Sequence, residues 1–360
     1  MKLERYFWIL LGVLTLAFLG HVYTMLMVVD LTGPITGDYL VGPDESLYYR
    51  RAIVLHYDAM STSLLETFAT YHNYTKSLHW GNYYFLATMF GLFGVDLKYI
   101  AIFKAVLFCF FSLPLFYLFM RRYVEERVAF FFCIVLAFYA PFIIFLYSLL
   151  RDDLIFFLVV SSLFMSDKII IDKKWVLLPL LFASLFLLFG FRVHMGLAVA
   201  AYITCRTFLE LNVDIVVKRL FIFLFSVFVI YNALFIIDFL IDNSIVENII
   251  ALPITVLRLL LSPLPWQIAD GINDIIRLWY IISFPIVIIL SALYVVRFKE
   301  SLPSLRTTLP FFALVVSYIL PYASHSGLGF RQSAIIIPFL FGFIIIPTIL
   351  YRVSLKSQVK

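Results

Sequence analysis

From Tyr6 to Val29 the chain carries no charged side chain and is apolar almost throughout. At about 1.5 Å per helical residue such a run crosses the roughly 30 Å hydrocarbon core of a bilayer. A basic start (Lys2, Arg5) precedes it and no small-residue cleavage site follows, so it is expected to be a retained signal-anchor. The remainder has the same character: 64% of the 360 residues are hydrophobic and only 14% charged, and the mean hydropathy is +1.03. This composition excludes a soluble globular domain and predicts an all-α, polytopic transmembrane helical bundle, read as a single integral membrane domain over residues 1–360.

Breaks between the apolar runs predict about ten spans, at 6–29, 99–120, 128–148, 154–166, 175–191, 194–208, 220–240, 278–296, 309–322 and 334–351. Lys and Arg test this order, because short cytoplasmic loops retain them. With the N-terminus inside, 17 of the 27 basic residues fall on short inner segments. These include Arg121, Arg122 and Arg127; Lys168, Lys173 and Lys174; Arg206, Lys218 and Arg219. The others, among them Arg50, Arg51, Lys98 and Lys104, fall on outer segments or outer span ends. Both termini are therefore expected in the cytoplasm of a multi-pass plasma-membrane protein, of prokaryotic type. Two long extracytoplasmic loops are expected, about 30–98 and 241–277. The first has an amphipathic piece at Ser46–Thr70 and a Gly-rich hinge at Phe90–Gly94. Cys109, Cys133 and Cys205 lie in apolar runs and read as core thiols. Nucleotide-loop, zinc and Ser-His-Asp patterns do not occur, and nothing points to a nucleic-acid partner.

Chemistry concentrates at the outer span ends. Asp44-Glu45 opens the first loop, Arg151-Asp152-Asp153 lies between spans three and four, and Arg192 and His194 lie between spans five and six. Arg258 falls on the second outer loop and Arg331 starts the last span. Ionisable groups this near hydrocarbon usually face a bundle interior or a wet cavity. Simpler readings stand beside that one. Asp44-Glu45 also suits a helix start, Arg151 a local ion pair, His194 a bond to a carbonyl, and Arg331 an interfacial arginine with its head in the headgroup layer.

The order of these elements resembles the GT-C superfamily of integral-membrane glycosyltransferases, which includes protein O-mannosyltransferases and lipid A aminoarabinose transferases. The likeness rests on a first span, an outer loop opening with Asp44-Glu45 and then Tyr48-Tyr49, and the segment His79-Trp80-Gly81-Asn82-Tyr83-Tyr84. Gly91-Leu92-Phe93-Gly94 and a second span ending in Arg121-Arg122 follow. It covers about residues 1–160; beyond that only the general layout agrees, and the soluble C-terminal domain of many members is missing. The resemblance implies transfer of a sugar from a polyprenyl-phosphate donor to a glycan, lipid or protein acceptor at the extracytoplasmic face. It implies Asp44 as base with Glu45 orienting. Arg331, Arg192, His194, Arg258 and Arg151 would bind substrate, and Asp152 and Asp153 would hold a divalent cation such as Mg2+ or Mn2+. The competing reading is a polysaccharide polymerase or ligase of the Wzy or O-antigen-ligase kind, using polyprenyl-diphosphate glycans and leaning on Arg and His. A transporter would show repeat symmetry and broken helices at mid-membrane, and the sequence displays neither.

Overall fold

The computed structural model describes residues 5–27, 44–61, 80–210, 289, 305–319 and 330–347, and every regular element among them is helical. In chain order these are α1 (Arg5–Met27), α2 (Asp44–Ser61), α3 (Trp80–Phe93), α4 (Leu97–Val106), α5 (Leu113–Met120) and α6 (Glu126–Ala137). They continue with α7 (Ala140–Tyr147), α8 (Asp152–Ile170), α9 (Leu178–Phe191), α10 (Val193–Leu209), α11 (Leu305–Ile319) and α12 (Phe330–Leu340). The expected spans at 220–240 and 278–296, and Arg258 with the whole loop 241–277, lie outside the described residues.

The chain forms two compact units. One holds Met1–Leu118, Glu126–Ser161 and Phe182–Val193; the other holds Phe119–Glu125, Ser162–Leu181 and His194–Lys360. Two stretches, Arg5–Met27 and Leu97–Met120, are long and apolar enough to cross a membrane. The solvent-facing residues of α1 are themselves apolar: Trp8, Leu16, Leu19, Tyr23 and Met27 are each more than half exposed. A helix that is apolar on its outer as well as its inner face suits lipid, not water.

Local chemistry explains where these helices widen, stop and break. Leu97–Met120 contains a π-helical stretch at Leu107–Ser112, and α12 runs into a second at Phe341–Ile345. Each is closed by an amide reaching five residues back, Leu113 to Phe108 and Ile346 to Phe341. Each is also followed by a proline two residues past its end, Pro114 and Pro347. A proline ring clashes with the carbonyl four residues earlier and offers no N–H, and one wide turn just before it relieves both problems. Helix α3 stops at Gly94, whose φ of +75° lets its amide bond the Phe90 carbonyl at 2.9 Å. The expected hinge at 90–94 is thus the last turn of a helix and its glycine stop. Asp96 then caps α4, its carboxylate accepting from the Lys98 amide at 2.9 Å.

The run expected as one span at 128–148 is two helices, α6 and α7, broken at Phe138-Tyr139. His21 of α1 holds the break, with Nε2 3.1 Å from the Ala137 carbonyl and Nδ1 3.3 Å from the Tyr147 hydroxyl. A carbonyl only accepts, so Nε2 carries the proton and Nδ1 accepts from the tyrosine.

In the first unit α2 lies on α3 through Tyr48 against Tyr83 (ring centroids 5.7 Å apart) and Tyr49 against Phe90 (5.9 Å). Helix α3 meets α9 at two glycines. A Cβ on Gly81 would lie 2.8 Å from the Gly190 carbonyl carbon and 2.9 Å from the Phe191 amide nitrogen, and one on Gly190 would strike the Trp80 ring at 2.5 Å. The contact at Gly81 is with backbone, which no rotamer change can clear. Gly81→Ala is therefore expected to push α3 off α9 at a cost of about 1–3 kcal/mol, the usual range for overpacking. A thermal melt of the purified protein in detergent checks this; an unshifted melting temperature would show the two helices can part freely.

Candidate functional site

The break between α7 and α8 is where the first unit collects its charge. Residues 148–151 leave one helix and enter the next, so their backbone groups need partners from elsewhere. Lys104, on α4 and 1% exposed, supplies two of them. Its ammonium donates to the carbonyls of Phe145, Ser148 (2.8 Å) and Leu150 (2.7 Å), and it lies 3.1 Å from Asp153 Oδ1. The Leu149 amide donates to Glu45 at 3.3 Å, and the Leu149 carbonyl accepts from Asn82 Nδ2 at 3.5 Å. The Leu150 amide donates to Ser148 Oγ at 3.3 Å. Helix α8 then starts, with the Ile155 amide bonding the Arg151 carbonyl at 2.9 Å and two acids in its first turn, where the helix dipole favours negative charge.

Around this link stand three carboxylates and three cations, all buried: Glu45, Asp152 and Asp153 with Lys104, Arg151 and Arg192. Arg192 follows the α3–α9 glycine crossing directly and places Nη2 2.9 Å from Asp152 Oδ1. The Arg151 guanidinium lies 5.5 Å over the Tyr48 ring, and Arg51 bonds the Tyr83 hydroxyl at 3.2 Å. The formal charges balance, which such burial requires, because a single uncompensated ion there would cost several kcal/mol.

Of the residues expected to act, the structure brings together Glu45, Arg151, Asp152, Asp153 and Arg192. Asp44 is the first residue of α2 and Arg331 the second of α12. His194 sits half-buried in the first turn of α10, within the second unit. The two central groups that sequence reading passed over are Lys104 and Asn82. Lys104 had a signal, since it is a charge flanked on both sides by apolar span. Asn82 stood inside the Trp80–Tyr84 segment with nothing to mark it.

The structure pairs Asp152 and Asp153, the residues expected to hold a divalent cation, with basic side chains. Each faces its own cation, Arg192 and Lys104, and no group of three His, Cys, Asp or Glu side chains able to hold a metal occurs among the described residues.

The second unit has its own polar centre, which sequence reading did not anticipate. Asp167, fully buried on α8, accepts from the Tyr123 hydroxyl and, at 3.1 Å, from the Tyr202 hydroxyl. Arg206 and Arg122 stand 3.5 and 3.9 Å away. Arg122 also grips Asp172 with two bonds of 3.0 Å, and Lys168 joins at 2.8 Å. The Arg122 fork, helped by Lys168, holds the Asp172 carboxyl below the usual carboxylate range. Phe311 stacks on Phe343 at 4.2 Å beneath Tyr123 and Tyr202.

Compared with family models, curated proteins and solved structures, the chain matches none.

Removing Lys104 strands three carbonyls and one carboxylate, whereas neutralising Asp153 strands one ammonium that keeps its carbonyls. Lys104→Met is therefore expected to cost about 3–5 kcal/mol, and Asp153→Asn clearly less. Unfolding of both variants in the same detergent gives the ranking; equal losses would mean the carbonyls are satisfied without the ammonium.

Proposed function

We propose that the protein is a polytopic membrane glycosyltransferase of GT-C type. It moves a sugar from a polyprenyl-phosphate donor to a hydroxyl acceptor at the extracytoplasmic face. The observation that carries this reading is the charge-balanced cluster of Glu45, Lys104, Arg151, Asp152, Asp153 and Arg192, buried in a unit whose outer surface is apolar. Buried ions under a lipid-facing surface are costly and are characteristic of a substrate site or pathway. The sequence resemblance of residues 1–160 supports the same class, and it names the acidic pair that stands beside the cluster.

The reaction needs two things from the chain. As the acceptor oxygen bonds to C1 of the sugar, its proton must leave, and the C1–O bond to the lipid phosphate must break with the electron pair staying on phosphate. Asp44 takes the proton. Glu45 does not, because its carboxylate is committed to the Leu149 amide and through it to the α7–α8 link; its part is positioning. The departing phosphate is steadied by guanidinium groups, of which Arg151 and Arg192 lie in the cluster and Arg331 is the late candidate. Asn82 Oδ1 is buried with no hydrogen-bond partner among the described residues. An orphan acceptor costs about 1–3 kcal/mol, which a sugar or acceptor hydroxyl would offset.

The ten-span arrangement with both termini cytoplasmic belongs to the same proposal, on the strength of the Lys/Arg alternation. Single cysteines at Ser63 and Ser357 should react with an impermeant reagent from opposite sides of the membrane; labelling from the same side would overturn the topology.

The chemical test is Asp44→Asn. Asparagine remains a good helix-starting residue, so insertion and folding should survive, while transfer of lipid-linked sugar falls by roughly 10²–10⁴-fold. Glu45→Gln should lose less activity and more thermal stability. A fully active Asp44→Asn protein would exclude Asp44 as base and favour the arginine-centred polymerase reading.

A further inference from the structure

Helix α8 ends at Ile170, and the chain leaves it through a turn in which Lys173 has a φ of +54°. The Lys174 amide donates at 3.0 Å to the Lys168 carbonyl, six residues back. That bond closes a wide turn after the helix, with Lys173 in the left-handed region. Glycine occupies such a position freely, whereas an L side chain costs on the order of 1 kcal/mol. Lys173 is the only described non-glycine residue with positive φ. The turn itself calls for glycine, so the lysine side chain supplies something the turn does not need.

What surrounds it is a sharp boundary between charge and oil. Lys173, Lys174, Trp175 and Val176 are consecutive and exposed, Val176 to 80%, and the next helix continues apolar and exposed at Leu180. The nearby acid does not quench the lysines, because Asp172 is taken by Arg122 and Lys168. Neither Lys173 nor Lys174 makes an ion pair among the described residues. Two free ammonium groups, an indole and a bare aliphatic side chain in four residues reproduce, in order, the headgroup, the interface and the acyl region of a leaflet.

We infer that the turn Asp172–Val176 docks on anionic phospholipid of the cytoplasmic leaflet, with Lys173 and Lys174 on lipid phosphates and Trp175 and Val176 at the acyl boundary. The leaflet assignment rests on the topology proposed above. A soluble acidic protein or a nucleic acid would meet the lysines but would leave Val176 in water, which favours lipid as the occupant. Each lysine is expected to contribute about fivefold to the preference for anionic lipid.

The full chain is reconstituted in vesicles of phosphatidylcholine or phosphatidylglycerol brominated on the acyl chains. The fluorescence of Trp175 is isolated as the difference between wild type and Trp175→Phe. Brominated phosphatidylglycerol, mixed with unlabelled phosphatidylcholine, should quench it more strongly than the reverse mixture, and added salt should weaken that preference. Lys173→Gly is the decisive variant: it relieves the left-handed strain, so the melting temperature should hold or rise while the lipid preference falls about fivefold. With Lys174→Gln added, the preference should all but vanish. Equal quenching by the two lipids in the wild type, or an unchanged preference in the double variant, would overturn the proposal. Lys174→Cys, labelled from one side at a time, separates the two ideas: reaction from outside refutes the topology, whereas absence of the lipid preference in the wild type refutes only the docking.

Discussion

One ammonium group holds the first unit's functional geometry together. Lys104 reaches from α4 to the place where α7 has ended and α8 has not begun, and binds three carbonyls that no helix can satisfy. In an apolar surrounding an unpaired carbonyl is expensive, and a bare ammonium more so; here each resolves the other. The fourth contact, to Asp153, ties the first turn of α8 to the same nitrogen. Because this link is fixed, Arg151 has a defined place over Tyr48, Asp152 meets Arg192, and Glu45 finds the Leu149 amide. A hydrophobic residue at 104 could fill the volume but would leave the link without a reason to adopt one shape.

The core is apolar, but the partition of side chains departs from that of a water-soluble protein at both ends. Ions and amides are buried at the α7–α8 link, while Trp8, Leu16, Phe131, Val176 and Phe186 are exposed. Within a bilayer, packing between helices gains little from hydrophobic burial, because lipid is as apolar as a leucine side chain. Close approach and polar bonds take over that task. Gly81 and Gly190 let α3 and α9 touch at the backbone, Trp80 packs against Phe186 at 5.2 Å, and Ser184 bonds the Leu158 carbonyl at 3.3 Å. The glycine crossing also sets where the chain emerges from α9, and so where Arg192 sits. A steric feature of two residues with no side chains thereby determines an electrostatic one.

How much of this could be read from the sequence follows from what each signal depends on. The helical class and the places of α1, α4–α5, α9 and α10 were legible, because an apolar run between charged clusters needs nothing but length to declare itself. The break at Phe138-Tyr139 was not: its cause is His21, more than a hundred residues earlier, and no local propensity announces it. The π turns before Pro114 and Pro347 were legible in principle, since the proline is the cause, but hydropathy alone does not register them. Among site residues, Arg151, Asp152, Asp153 and Arg192 stood out as charges at span ends. Their pairing was not legible, because the cation that each aspartate faces comes from another segment of the chain. Asp167 hid beside Lys168, Lys173 and Lys174, where an acid reads as local charge balance; its two tyrosines come from other segments.

The acidic pair illustrates why adjacency in sequence does not mean shared chemistry. Consecutive helical positions differ by about 100°, so two neighbouring side chains cannot both turn to one backbone amide. Glu45 takes that amide, and a carboxylate that accepts from a structural N–H is held in place. A base that must collect a proton from an acceptor hydroxyl needs the reverse: an oxygen not already satisfied by the backbone. The two requirements conflict in one residue and are compatible in two. Placing them side by side at a helix start couples them mechanically, because any shift of Glu45 against the α7–α8 link moves the first turn of α2. The link that Lys104 fixes therefore sets the backbone position of the proposed base as well, through its neighbour Glu45.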